Sequence, residues 1–174
     1  ENLASKKSCP SNRILSPNGV VALVIPVAHQ DLNNSLVKDV RISHKENWQR
    51  RHFRTIKTCY GRSPYFEFFE DDLINLYSSS PEYLWEFNLT TIRFLFDSMG
   101  LPNQIEVLDD ENEDALKTSI SDFSLPEQIA QQPPYMQVFR DRFPFISGLS
   151  ALDLVMNLGP ASVIYLRALH SPGD

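Results

Sequence analysis

Short apolar runs separated by a turn signal dominate the first quarter of the chain and predict β-structure. Residues 12–15 and 20–27 flank the polar tetrapeptide Ser16-Pro17-Asn18-Gly19. An Asn-Gly pair between apolar runs is the strongest short hairpin signal, because both turn positions tolerate positive φ. Apolar positions alternating with charged ones over residues 37–42 predict a third short strand, and residues 104–108 predict a further one.

Apolar positions then recur with a helical period, which predicts three consecutive helices. The first covers about residues 46–60 and ends at Gly61, where a left-handed backbone is expected. The second begins at Ser63-Pro64, and the third begins at Ser80-Pro81 and ends at Met99. The second helix has one core-facing stripe at i, i+4, i+8 and i+11, formed by Tyr65, Phe69, Leu73 and Leu76.

The last third of the chain begins with a polar segment and ends with two predicted helices. Residues 109–134 are polar, contain the acidic run DDENED and predict a long surface loop. Ser150 and Asp153 have the spacing of a capping box, which predicts that a helix begins there. Gly159-Pro160 ends this helix, and a final one follows over residues 161–169.

These elements predict an α+β fold in a single domain that covers residues 1–174. A small antiparallel sheet, made of the N-terminal hairpin plus one or two strands, packs with about five helices. The chain shows neither internal repeats nor a linker, and 174 residues suit one domain.

Composition narrows the function classes. The formal net charge is −6, which argues against broad nucleic-acid binding. No run of about 18 apolar residues is present, and the start has no signal-peptide pattern, so we expect no membrane span and a cytoplasmic location. Two cysteines, Cys9 and Cys59, form no metal-ligand pattern; whether they are bridged stays open.

Motifs that would fix a reaction are absent from the sequence. There is no Gly-rich phosphate loop, G-x-S-x-G, H-E-x-x-H or C-x-x-C. The sequence thus gives no sign of a P-loop NTPase, an α/β-hydrolase, a zincin or a thioredoxin, and we expect neither a cofactor nor a metal.

Three stretches in series resemble the WbqC-like family. They are NRILSPNGVVALVIPV, VRISHKENWQRRHFRTIKTCYGRSPYFEFFEDDL and YMQVFRDRFPFISGLSALDLVMNLGPASVIYL. The resemblance implies a role in bacterial surface-polysaccharide biosynthesis, but no family-wide reaction, cofactor or catalytic set. Family members usually begin with a further strand and helix, which we expect this chain to lack; whether the chain is active without them stays open.

The positions that match the family suggest a pocket where the hairpin meets the turn between the first two helices. Asn12 and Arg13 would bind an anionic group, since a guanidinium matches phosphate and carboxylate. His52 would transfer a proton, and Tyr60 and Tyr65 would contact a sugar. Structural hydrogen bonds for Arg13 and His52, and ordinary core packing for the tyrosines, are the alternatives.

Other charged clusters have simpler interpretations. Arg50, Arg54 and Lys57 suit either a diphosphate or a solvated helix face, and the second is favoured. The acidic residues of the second helix point to different sides, and Cys59 lies too far from His52 for activation.

The function expected from these observations is an enzyme that acts on an activated sugar. Its partner would be a nucleotide-sugar or another anionic small molecule. A non-catalytic binding or assembly protein of the same pathway is the alternative. The reaction, the substrate and the oligomeric state stay open.

Overall fold

An antiparallel hairpin opens the part of the chain that the computed structural model describes, which is residues 12–28, 37–105 and 132–170. Strand β1 (Asn12–Ser16) pairs with β2 (Gly19–Leu23) in a register that places Asn12 opposite Leu23 and Ser16 opposite Gly19. Gly19 has φ 111°, a conformation that favours glycine. The predicted hairpin is therefore confirmed, with Pro17-Asn18 as its two-residue loop.

The predicted third strand is replaced by single bridges. Residues Val37–Asp39 form a 3₁₀ turn, and Val40 is fully buried. The two residues that follow make isolated antiparallel bridges, Arg41 to Tyr83 and Ile42 to Val27. A 3₁₀ turn within so short a segment leaves too few extended residues for a ladder, so the sheet in the described residues has two strands.

Five α-helical segments occur in the described residues. The last two are joined by one 3₁₀ turn (Gly159–Ala161) into a bent unit, so the helices number four if this unit is counted once, slightly fewer than predicted. The α+β class is confirmed. The segments are α1 (Trp48–Tyr60), α2 (Phe66–Ser78), α3 (Leu84–Ser98), α4 (Ala151–Leu158) and α5 (Ser162–His170).

The ends of the helices differ from the sequence-based expectations. Gly61 has φ −58° and therefore a right-handed conformation. Its N–H donates to the Lys57 carbonyl, so the helical hydrogen-bonding pattern continues through this residue. Ser63 and Ser150 make no side-chain cap bond, and the Oγ of each is buried without a partner in the described residues. Each serine lies at or just before the start of a helix, but its hydroxyl caps none of the amides in the described residues.

Helix α1 lies between two apolar clusters, which makes it the central helix. Its residues Ile56, Cys59 and Tyr60 belong to the larger cluster, and Trp48 belongs to the smaller one. Burial of such side chains supplies most of the driving force for packing. The larger cluster joins α1 to the hairpin, α2, the end of α3 and α4 through Ile14, Leu23, Phe66, Leu73, Met99, Val155 and Met156; the smaller joins α1 to Ile42, Leu76 and Phe87.

The α4–α5 unit is unusually apolar for its length. Residues Ala151–Leu169 are long and apolar enough to cross a membrane by these two criteria. The unit also carries Asp153 and Asn157, which are both buried and hydrogen-bonded inside the protein. Core helices of globular proteins have the same properties, so this feature alone assigns no membrane role.

Two predicted elements fall mostly outside the described residues. The predicted strand over 104–108 and the predicted loop over 109–134 share only residues 104–105 and 132–134 with them, and these are irregular. Cys9 also lies outside. Cys59 is a buried free thiol.

Candidate functional site

Asn12 and Arg13 are both exposed at the start of β1. The backbone of Arg13 pairs with Ala22, and its carbonyl accepts a hydrogen bond from Ser150 N at 2.8 Å. The Arg13 side chain is exposed and makes no ion pair with the described residues. The hairpin therefore holds Arg13 where a ligand can reach it, and its role in anion binding stays a prediction.

His52 is sealed inside the smaller cluster. Its side chain is only 5% exposed, and its ring packs edge-on against Trp48 and Tyr77. Nε2 lies 3.1 Å from the Val24 carbonyl, which only accepts, so Nε2 carries the proton and donates. Burial lowers the pKa of His52, and the Val24 hydrogen bond partly opposes this. This geometry is that of a structural histidine; its proposed proton transfer stays a prediction.

Tyr60 and Tyr65 have different burial and different contacts. Tyr60 is fully buried and donates its hydroxyl to Asp153 Oδ1 at 2.7 Å. Tyr65 stacks on Phe69 and contacts the backbone of Gly159, where a Cβ would lie 2.4 Å from the tyrosine ring. A side chain at position 159 would therefore displace Tyr65. The two tyrosines and His52 have different neighbours. These three side chains and Arg13 are all absent from the walls of the clefts described below.

A cleft of about 690 Å³ lies elsewhere, where α1 begins and α2 ends. We call it the end cleft. Because α1 and α2 form a helical hairpin, the first residues of α1 face the last residues of α2 across it. Its size falls in the range of small-molecule sites. Its walls are residues 44–47, the α1 positions Gln49, Arg50 and Phe53, and Ile74, Tyr77, Ser78 and Ser80.

His44 at the rim of the end cleft has an oriented ring. Its Nε2 lies 3.0 Å from the carbonyl of Pro81, so Nε2 carries the proton in the neutral ring. Nδ1 is then the acceptor, and the amide of Gln49 lies 3.5 Å from it. A histidine held by a backbone carbonyl in this way can accept a proton at its other nitrogen. His44, unlike His52, is exposed.

The cationic groups of the end cleft are Lys45 and Arg50. Neither makes an ion pair with the described residues, whereas Glu46 pairs with Arg51 at 2.9 Å. The first turn of α1 has no acidic residue and no side-chain cap, so its amides add partial positive charge. The end cleft therefore favours an anionic ligand.

The opposite part of the end cleft is apolar and aromatic. Phe53 and Tyr77 contribute ring surface, and Ile74 is 40% exposed there. His52 lies behind Tyr77, with the two ring centroids 6.0 Å apart. The predicted catalytic histidine thus supports a wall of the cleft from the protein side. Rings of this kind suit the apolar faces of sugars and bases.

Sequence reasoning missed a second buried ionisable group, Asp153. Its side chain is 1% exposed, and it accepts hydrogen bonds from Tyr60, from Tyr135 at 2.6 Å and from Gln137 at 3.4 Å. Burial raises the pKa of the Asp153 carboxyl, and the hydrogen bonds from Tyr135, Tyr60 and Gln137 oppose the rise. The sequence signal was a lone carboxylate in the apolar segment ALDLVMNL, which its capping-box spacing obscured.

The described residues support neither a metal site nor catalysis by a cysteine nucleophile. They contain no group of three or more His, Cys, Asp or Glu side chains placed to hold a metal. Burial raises the pKa of Cys59 to about 11, and the charge of Asp153 adds to the effect. A thiol with such a pKa is protonated at neutral pH and is a poor nucleophile.

Comparison with known proteins gives one match. The model of the WbqC-like protein family matches residues 4–125, which include the hairpin and helices α1–α3. The end cleft lies inside the matched range, and Asp153 lies beyond it. No curated protein and no solved structure matches the chain.

Proposed function

The chain belongs to the WbqC-like protein family, and on that premise we propose that it is an enzyme of bacterial surface-polysaccharide biosynthesis that acts on an activated sugar. The end cleft is the proposed site. The observation that carries the proposal is that one cleft combines an oriented histidine, aromatic surface and two cations that make no ion pair within the described residues. The pathway comes from the family resemblance, and the ligand class comes from the cleft.

The chemical groups of an activated sugar can be matched to residues that line the end cleft. Lys45 and Arg50, with the first amides of α1, would bind the diphosphate. Phe53 and Tyr77 would stack on the sugar or on the base. His44 Nδ1 would accept a proton from the attacking group, with the Pro81 carbonyl holding the opposite nitrogen.

A thermal-shift screen with nucleotide-sugars tests the proposal. At least one uridine, thymidine or guanosine diphosphate hexose should raise the melting temperature of the chain, because it binds the folded state only. The double variant Lys45→Gln/Arg50→Gln should abolish that rise. Arg93→Gln is the matched control, since Arg93 is an exposed arginine of α3 outside the clefts described here, and it should leave the rise unchanged.

Arg13→Ala tests the binding role predicted from the sequence. The hairpin side chain lies outside the end cleft, so loss of the rise in this variant would place the ligand at the hairpin and remove the end cleft as the site. An unchanged rise would exclude the Arg13 side chain from the ligand site.

A non-catalytic binding or assembly protein is the second candidate. Phe68 on α2 is 77% exposed and Ile164 on α5 is 72% exposed, so both side chains are available to a protein partner. If no nucleotide-sugar raises the melting temperature, these apolar side chains become the better starting point.

A further inference from the structure

A second cleft lies at the other end of α1, and we call it the arginine cleft. It has a volume of about 340 Å³. Residues 62–64 of the α1–α2 turn form one wall, and residues 136–142 with Asn157 form the other. Helix α1 has 13 residues, so the arginine cleft and the end cleft are separated by about 20 Å of helix.

The arginine cleft concentrates positive charge in an acidic protein. Arg62, Arg140 and Arg142 line it with a single carboxylate, Asp141, while the whole chain has a net charge of −6. Arg142 Nε lies 3.8 Å from Asp141 Oδ2, and Arg142 also donates to the Pro17 carbonyl at 3.5 Å. Within the described residues, Arg62 and Arg140 make no ion pair. Like charges gathered in this way repel one another unless an anion joins them.

The wall formed by residues 62–64 contains a buried hydroxyl, that of Ser63. Ser63 is 8% exposed, and its Oγ has no hydrogen-bond partner among the described residues. A buried hydroxyl without a partner is uncommon, because its desolvation is not compensated. Ser63 lines the same cleft as the three guanidinium groups, but its Oγ is itself buried. A rotation of this side chain towards the cleft would let the hydroxyl donate to an acceptor oxygen that enters there.

The opposite wall is held in place by the buried Asp153 network. Gln137 is 4% exposed; its amide donates to Ile146 O and accepts from Ile146 N. The same amide lies 3.4 Å from Asp153, and Asn157 donates to the Asp153 backbone carbonyl at 2.7 Å. These bonds fix the irregular segment that carries Arg140 and Arg142, so the arginines are presented on a defined backbone. Such preorganisation lowers the entropic cost of binding.

We propose that the arginine cleft binds a doubly charged phosphoryl group of a small molecule. Within the described residues, Arg62 and Arg140 make no ion pair, Arg140 donates only to the weak acceptor Met136 Sδ at 2.6 Å, and Arg142 is only weakly paired. Three such guanidinium groups match a phosphate dianion better than a singly charged carboxylate. Free phosphate and a phosphate ester or diphosphate share this chemistry. The proposal does not depend on the end cleft, which lies at the opposite end of α1.

Isothermal titration of the chain in a phosphate-free, low-salt buffer tests the proposal. The probes are inorganic phosphate, pyrophosphate and acetate. We expect pyrophosphate or phosphate to bind with a Kd below about 1 mM, and acetate not to bind at this level. Tighter binding of pyrophosphate would identify a diphosphate as the source, and tighter binding of phosphate a single phosphoryl group. No binding of either, or equal binding of acetate, would overturn the proposal.

Variants locate the bound anion. Arg62→Gln/Arg140→Gln should raise the Kd at least tenfold, while Arg93→Gln, which alters an exposed arginine outside both clefts, leaves it within twofold. An unchanged Kd in the double variant, or an equal loss in Arg93→Gln, would show that binding is elsewhere or is unspecific. Loss confined to Arg50→Gln would place the anion in the end cleft and sink this proposal alone.

Ser63→Ala separates binding from folding. The hydroxyl has no protein partner in the described residues, so its removal should leave the melting temperature of the free chain unchanged or higher. The Kd for the preferred probe should rise about threefold or more. A lower melting temperature with an unchanged Kd would show that the hydroxyl is structural and would remove it from the site.

Discussion

Two buried ionisable side chains, His52 and Asp153, show how differently similar burial can be used. Within the described residues, the His52 ring makes one hydrogen bond, to the Val24 carbonyl, and it packs edge-on against the rings of Trp48 and Tyr77. Asp153 accepts bonds from Tyr60 on α1 and Tyr135 before α4, and it lies beside Gln137. His52 fills a place within one cluster, whereas Asp153 joins separate segments of the chain. We infer that the stability lost on removing a buried polar group follows the number of chain segments that the group joins, rather than its burial.

Removal of the Asp153 carboxylate should have the largest effect on stability. Asp153→Ala leaves two tyrosine hydroxyls and one amide short of an acceptor, so we expect a loss of about 3 kcal/mol in the free energy of unfolding. Chemical denaturation at pH 7 measures it. Asp72→Ala on the exposed side of α2 is the matched control and should change stability by less than about 0.5 kcal/mol. Equal losses in the two variants would remove the distinction between Asp153 and a surface acid.

Removal of either tyrosine hydroxyl that donates to Asp153 should lower the free energy of unfolding by a smaller amount. Tyr60→Phe and Tyr135→Phe each remove one hydrogen bond to a charged group, for an expected loss of about 2 kcal/mol. Tyr165→Phe is the control, because its hydroxyl bonds the exposed Pro133 carbonyl and should contribute about 0.5 kcal/mol. The losses from Tyr60→Phe and Tyr135→Phe should not add, since both act on one carboxylate. Full additivity in the double variant would argue against a shared network.

The same contrast explains which features could be predicted from the sequence. The hairpin and the three middle helices follow from turn residues and apolar period, which act over a few neighbours. The direction of the Asp153 side chain depends on Tyr60, 93 positions away, while the local capping spacing is met only by the backbone bond from Asp153 N to Ser150 O. A capping box and a buried acceptor look alike in sequence, so the network could not be predicted.

The candidate site was missed for a related reason. The end cleft exists because the α1–α2 turn folds residues 44–53 against residues 74–80, and no motif links the two stretches. His52 attracted attention through its spacing from Trp48, although the ring is enclosed. His44, eight positions earlier, has no periodic signal, and only the Pro81 carbonyl gives it an orientation.

Replacement of the His52 ring should have a smaller effect than either change at the Asp153 network. In His52→Gln the new amide can still donate to Val24 O, so the loss comes from ring contacts with Trp48 and Tyr77. We expect a loss of about 1 kcal/mol in the free energy of unfolding. The exposed His44→Gln is the control and should be close to neutral. A loss larger than that of Asp153→Ala would reverse the comparison.

The smallest expected effects are on the dependence of stability on pH, where the two groups act in opposite directions. The pKa of His52 is lowered by burial, so the unfolded state binds the proton more readily, and stability from this group is lost as pH falls below about 6.5. The pKa of Asp153 is raised by burial, so the folded state binds the proton more readily. Its contribution is complete below the ordinary carboxyl pKa and is lost as pH rises through the folded-state pKa.

Denaturation of the wild type, His52→Gln and Asp153→Asn at intervals between pH 3 and pH 8 resolves the two contributions. His52→Gln should flatten the fall in stability that the wild type shows just below pH 6.5, because the glutamine does not titrate there. Asp153→Asn keeps an acceptor but cannot ionise, so its stability relative to the wild type should improve as pH rises from the acid end. If both variants shifted the profile in the same direction, one of the two pKa shifts would have the opposite sign, and the contrast between an enclosed ring and a carboxylate whose pKa burial raises would fail.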